Sequence, residues 1–137
     1  MIIDSNILIY AINADSPKNK SAQKFIKNNL KDLEVTHQNI LETIRVLTHP
    51  KFSKPMKLKD ALIAIQVITE SCRIICPTQT TYYLLLEFIK KYKLAGNRIF
   101  DAYLAACALT NNIDTIATDN VSDLKKFKGL KVINPFS

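Results

Sequence analysis

A chain of 137 residues with a formal charge of +7, 47% hydrophobic and 23% charged residues has the size of one domain and an ordinary globular composition. Its two glycines, Gly96 and Gly129, stand far apart, which excludes the glycine-rich phosphate loops of nucleotide-binding folds. Phosphate handled by this chain has to meet cations instead. The longest uncharged run, Ile74 to Leu86, contains Pro77 and several hydroxyls, and Asp4 interrupts the apolar start at once, so no membrane-spanning or targeting segment is expected.

In chain order, Met1-Ile2-Ile3 reads as a short strand ending at Asp4, with Ser5 as the N-cap of a helix from Asn6 to Ile12. Pro17 opens a second helix over about Lys18 to Leu30, where Ala22, Phe25, Ile26 and Leu30 fall at helical spacing. Leu33-Glu34-Val35 reads as a strand, and Thr36 caps a helix carrying Ile40, Leu41, Ile44 and Leu47 that ends at His49-Pro50. After a lysine- and proline-rich loop comes an amphipathic helix over about Leu58 to Thr69, then a strand from Arg73 to Cys76 stopped by Pro77. Two further helices are expected over about Thr80 to Tyr92 and Arg98 to Thr110, the second closed by Asn111-Asn112, because asparagine tolerates the left-handed conformation at helix ends. Strands at Thr115-Ile116-Ala117 and Lys131-Val132-Ile133 complete the chain. Short strands alternating with helices predict a single α/β domain over residues 1–137, with a parallel sheet of about five strands covered on both faces.

Of the nineteen basic residues, five lie between Lys18 and Lys31, five between Arg45 and Lys59, four between Lys90 and Arg98, and four between Lys125 and Lys131. This excess suits polyanionic partners, although Lys90, Lys91 and Lys93 equally suit the negative end of a helix dipole. Cys72 and Cys76 flank a strand at about 13 Å, beyond disulfide reach, and Cys107 lies in a helical pattern. The three cysteines therefore read as small core residues of a reducing, cytoplasmic protein.

Four acids stand in apolar company. Asp4 follows Ile2-Ile3, Asp119 follows Ile116-Ala117-Thr118, Asp101 is the single charge between Ile99 and Ile113, and Glu42 lies in the helix after the second strand. Each has an ordinary explanation: helix caps for Asp4 and Asp119, a dipole partner for Asp101, and a surface stripe with Gln38 and Arg45 for Glu42. Taken together they point elsewhere. In a parallel sheet all carboxyl ends share one edge, where open α/β folds bind ligands. Four carboxylates meeting there would repel one another, and Mg²⁺ or Mn²⁺ would neutralise them. An acidic, metal-binding pocket in a basic protein fits cleavage of a phosphodiester.

At these residues the chain resembles PIN domains. The resemblance lies in Ile2-Ile3-Asp4-Ser5-Asn6, in Glu42 within Thr36 to Leu47, in Phe100 to Ala108, in Ile116-Ala117-Thr118-Asp119-Asn120, and in the closing stretch from Leu124 to Pro135. It spans essentially the whole chain and is strongest to the VapC-like toxins of type II toxin–antitoxin pairs. The resemblance implies a PIN-like three-layer α/β/α sandwich and a Mg²⁺-dependent ribonuclease, homodimeric, held inactive by a cognate antitoxin protein. It matches Asp4, Glu42 and Asp101 to the first three acids of the family. The fourth place falls on Asp119, Asn120 or Asp123, with Asp119 the first choice and Asp123 the second. Asp4 and Asp101 would hold the principal Mg²⁺, for which Mn²⁺ can substitute, with Glu42 and Asp119 beside it and Asn6 and Thr118 in support. Tyr10, Phe100 and Tyr103 are candidates for stacking RNA bases.

Three other readings compete. A PIN nuclease of RNA processing would share every residue above. A non-catalytic RNA-binding module would have no need of the acidic set. A phosphatase with Asp4 as nucleophile, as in haloacid-dehalogenase-like enzymes, would want an aspartate where Asn6 stands.

Overall fold

The computed structural model describes all residues, Met1–Ser137. Its elements in order are β1 (Ile2–Ile3), α1 (Ser5–Ile12), α2 (Asn19–Asn29), β2 (Glu34–Thr36), α3 (His37–Thr48), α4 (Leu58–Thr69), β3 (Arg73–Ile75), α5 (Thr81–Tyr92), α6 (Arg98–Thr110), β4 (Thr115–Ala117), α7 (Val121–Leu124) and β5 (Lys131–Ile133). A 3-10 turn, Leu30–Asp32, joins α2 to β2. The five strands form one sheet in the order β3-β2-β1-β4-β5, parallel throughout. The expected α/β fold with a five-stranded parallel sheet is the observed one.

Strand alternation divides the core into two layers. Ile2 and Ile116 point to the side covered by α5 and α6, where they meet Phe88, Leu104, Cys107, Leu124 and Phe127. Ile3 and Ala117 point to the opposite side and meet Ile7, Leu8, Ala22, Ile26, Val35 and Ile65 from α1, α2, β2 and α4. Each fully buried aliphatic or aromatic side chain of this kind contributes about 1.5–3 kcal/mol. The run of small residues Ala102, Ala105, Ala106 and Ala108 is fully buried, which lets α6 lie close to the sheet and carry its first turn to the sheet's carboxyl edge.

Several local expectations shift by a residue or a role. Asp4, not Ser5, is the N-cap of α1, its side chain accepting from the Ser5 backbone N–H. Thr36 caps α3 as expected and makes a full capping box with Asn39. Asn112 takes the left-handed conformation after α6 (φ 59°), and Lys93 does the same after α5 (φ 52°). Gly96, at φ +62°, makes the turn that starts α6, its carbonyl accepting from the Ile99 N–H at 3.1 Å. The one-turn helix α7 carries no periodic signal and was not expected. Of the three cysteines only Cys107 is a core residue; Cys72 is half-buried and Cys76 exposed, and all three are free thiols. No helix is long and apolar enough to cross a membrane.

Candidate active site

The chain runs from β1 to β2 on one side and reaches β4 on the other, so the crevice beyond β1 and β4 is the topological switch point of the sheet. Asp4 is the first residue past β1, its backbone N–H donating to the Ala117 carbonyl at 2.9 Å. Its Oδ1 accepts from the Ser5 N–H at 2.7 Å, and its Oδ2 accepts from the Thr118 hydroxyl at 2.7 Å and the Asn6 amide at 3.4 Å. The Asn6 amide also donates to Thr118 Oγ1 at 3.0 Å. Three residues from the ends of two adjacent strands thus hold one carboxylate in place. Burial raises the pKa of Asp4, opposed by the Thr118 and Ser5 hydrogen bonds and reinforced by Glu42.

Glu42 lies in the second turn of α3, facing the same crevice. The Ser5 hydroxyl donates to its Oε2 at 2.9 Å and the Gln38 amide to its Oε1 at 2.8 Å. Ser5, expected only to cap a helix, therefore ties Glu42 to the Asp4 turn. Gln38 was visible in the sequence as the residue one helical turn before Glu42, and its contact here is with the acid.

Asp101 occupies the first turn of α6. Its pKa is pushed up to about 6, by burial first, then by the charges of Asp123 and Asp4, with Lys126 opposing and Glu42 adding a little. Asp101 thus lies within reach of the charges of Asp123, Asp4 and Glu42. No Lys or Arg pairs with any of the four. Glu42, Asp101 and Asp123 line an open cavity of about 980 Å³, whose walls also carry His37, Arg45, Arg98 and Phe100.

Asp119 is placed differently from expectation. Its carboxylate forms an ion pair with Lys18 and accepts from the Tyr10 hydroxyl at 2.9 Å and the Asn134 amide at 3.4 Å. The Lys18 hydrogen bond is the main reason its pKa is lowered, against the opposing effect of burial. Its backbone N–H donates to Asn6 Oδ1 at 3.2 Å, while its carboxylate is turned to Lys18, Tyr10 and Asn134. The acid that approaches Asp101 is Asp123, the second choice from sequence. The reason is α7: after Thr118 the chain turns through one helical turn, which carries Asp123 over α6, and the Asn120 amide donates to the Asp123 carboxylate. Lys18 stands 101 residues from Asp119, and no local pattern announces the pair.

The donors on offer fit a hard divalent cation. They are carboxylate oxygens in no ion pair with a lysine or arginine, the chemistry that suits Mg²⁺ or Mn²⁺. No three His, Cys, Asp or Glu side chains close on a single point, so an ion here would complete its shell with water or substrate, as Mg²⁺ commonly does.

Comparison with known proteins places the fold. The PIN domain family matches residues 1–129. Ribonuclease VapC24 of Mycobacterium tuberculosis is 26% identical over 142 residues, covering 98% of this chain and 96% of that protein. Among solved structures, VapBC2 from Rickettsia felis, bound to a DNA fragment from its promoter, superposes with a TM-score of 0.74 at 19% identity, covering 97% and 96% of the two chains. VapC20 of M. tuberculosis, described as a sarcin-ricin loop cleaving toxin, superposes with a TM-score of 0.70 at 14% identity, covering 94% and 97%. With a family match across nearly its whole length, the chain belongs to the PIN domain family.

Proposed function

We propose that the protein is a Mg²⁺-dependent ribonuclease, the toxin of a type II toxin–antitoxin pair, acting in the cytoplasm as a single-domain, homodimeric chain. One observation carries the reading: the carboxylates of Asp4, Glu42, Asp101 and Asp123, from separate segments of the chain, gather at one crevice and none is in an ion pair with a lysine or arginine. The names of the similar proteins, ribonucleases and members of toxin–antitoxin complexes, support the same activity and the same kind of partner.

In this reading Asp4 and Asp101 hold the metal, Glu42 stands beside it, and Asp123 fills the fourth place in preference to Asp119. Bound there, the ion would lower the pKa of a water molecule and offset the charge that builds on the phosphate oxygens. The chain's own residues do the rest. Ser5, Thr118 and Asn6 fix the Asp4 carboxylate, while Ser5 and Gln38 occupy both oxygens of Glu42 and fix its orientation. A carboxylate of the cluster accepts the proton of the attacking water. Arg45, Arg98 and His37 on the cavity walls meet the RNA backbone, and the release of counterions makes binding fall with salt.

An antitoxin has a surface to bind. Leu58, Leu62, Ile63 and Val67 are exposed along α4, beside an apolar groove lined by Ile12, Ile26, Leu30, Met56 and Ile68. The activity is tested by incubating the purified protein with short single-stranded RNAs in Mg²⁺ or Mn²⁺. Cleavage that stops with EDTA and disappears in Asp4→Asn, with the circular dichroism of the fold unchanged, is expected. Cleavage retained in Asp4→Asn overturns the assignment.

A further inference from the structure

The cavity at the carboxylates has a second wall that bond cleavage alone does not require. Phe100, the residue before Asp101 in the first turn of α6, is 54% exposed and lines the cavity. About half exposed, the ring forgoes part of the ~1.5–3 kcal/mol that full burial of a phenylalanine supplies, and it does so inside a cavity lined by acids and cations. The other aromatic side chains that pack on rings do so within the protein. Tyr10 packs edge-on against Phe136, Tyr82 against Tyr83, and Phe88, Tyr92 and Phe127 against one another. Phe100 packs on no other ring, Tyr103 one helical turn on lines the same cavity without pairing with it, and no lysine or arginine of the chain covers the Phe100 ring. Tyr10, an alternative stacking residue by sequence, is committed to Asp119 and Phe136.

Two cations line the same cavity. Arg45, on the exposed side of α3, and Arg98, at the start of α6, both line the cavity, and neither is in an ion pair. One cavity thus combines two chemistries: an aromatic face with two unpaired guanidinium groups, and acids suited to metal. At about 980 Å³ the space lies at the upper end of the ~300–1,000 Å³ that takes up small organic ligands, room for a nucleotide and its flanking phosphates. A base offers a π-face to Phe100, and its phosphates offer charge to the arginines. In a duplex that face is covered by stacking, so the occupant is an unpaired base. A second copy of this chain seated on the same face would cover the opening through which Glu42, Asp101 and Asp123 reach solvent, which favours RNA as the occupant.

We propose that Phe100, with Arg45 and Arg98, forms a base-stacking subsite that holds an unpaired nucleobase of single-stranded RNA beside the carboxylates, and so selects where the strand is cut. The proposal rests on the nuclease reading for its consequence, but not for its measurement, because RNA binding is read without cleavage.

The test measures the affinity of a short fluorescent single-stranded RNA by anisotropy in EDTA, alongside KM and kcat in Mg²⁺, for the wild type and for Phe100→Ala, Phe100→Leu and Phe100→Trp. Stacking predicts that Phe100→Ala and Phe100→Leu weaken binding and raise KM by about 5- to 100-fold, while kcat changes by less than about threefold and Phe100→Trp restores both. An RNA with an abasic nucleotide next to the cut should lose affinity for the wild type and none further for Phe100→Ala. Leu performing as well as Trp, or KM and RNA affinity unchanged in Phe100→Ala, overturns the subsite. A fall in molar mass by light scattering in Phe100→Ala, with RNA affinity intact, assigns the face to a second copy instead. Absence of cleavage in the wild type overturns the nuclease reading, and the anisotropy series then still decides the subsite.

Discussion

Asp101 and Asp119 are both aspartates at the carboxyl edge of the same sheet, and the protein treats them in opposite ways. Asp119 is given Lys18, Tyr10 and Asn134, and its pKa is lowered; its charge is settled within the fold. Asp101 is given burial and the neighbouring charges of Asp123, Asp4 and Glu42, with only Lys126 opposing, and its pKa rises to about 6. The first arrangement holds structure together: Lys18 from the start of α2 also lies over the rings of Tyr10 and Phe136, pinning the β4–α7 turn to the helices across the sheet. The second costs stability, and such a cost is retained where a ligand is to supply the missing positive charge. What separates the two acids is the ion pair, which Asp119 has with Lys18 and Asp101 lacks.

That contrast can be broken most severely at the crevice. Asp4→Asn and Asp101→Asn are each expected to lower Mg²⁺-dependent RNA cleavage by about 10³-fold, since a lost metal forfeits several kcal/mol of charge stabilisation and each ~1.4 kcal/mol is tenfold in rate. A residual rate within tenfold of wild type removes the residue from the metal site. The two candidates for the fourth acid separate next: Asp123→Asn should lower cleavage by about 10- to 100-fold and Asp119→Asn by less than about threefold. The reverse order in the same assay would restore Asp119 to the site.

Stability measurements sharpen the comparison at smaller amplitude. Saturating Mg²⁺, at about 100 times its Kd, should stabilise the wild type by about 2.7 kcal/mol in denaturant unfolding and leave Asp101→Asn unmoved. Equal stabilisation of both would place the ion elsewhere. In EDTA the pH dependence of the two aspartates has opposite sign. Because the folded-state pKa of Asp101 lies above its unfolded value, the folded protein binds the proton more tightly, and stability falls as pH rises from about 4 to 6. Asp101→Asn should therefore raise Tm at pH 7 by about 2–4 °C, a gain damped by partial exposure and absent below pH 4. Asp119, with its pKa lowered, stabilises at pH values above its unfolded pKa, and that contribution is lost as pH falls through the folded value. Asp119→Asn should cost about 1 kcal/mol at pH 7 and nothing in strong acid.

Much of this was legible in the sequence, for reasons that differ by element. Helices α4 and α6 lie where their apolar periodicity puts them, over Leu58–Thr69 and Arg98–Thr110, and β4 and β5 fall between turn residues that leave them no other extent. Asp4, Glu42 and Asp101 stood out because each is a charge in apolar surroundings. Choosing between Asp119 and Asp123 was beyond local pattern. The outcome depends on one unpredicted helical turn, α7, and on a lysine 101 residues away. The double use of Ser5, backbone to Asp4 and hydroxyl to Glu42, is likewise a product of α1 and α3 lying side by side, which neither segment reveals alone.

The hydrogen bond from Thr118 to Asp4 joins residues separated by 114 positions, and β1 sits in the middle of the sheet between β2 and β4. During synthesis, the strand that opens the chain waits for one of its two neighbours until residues 115–117 have left the ribosome. The four acids come from four elements, the last of them α7, so a nascent or interrupted chain that stops short of Val121–Leu124 has some of the acids but not the crevice.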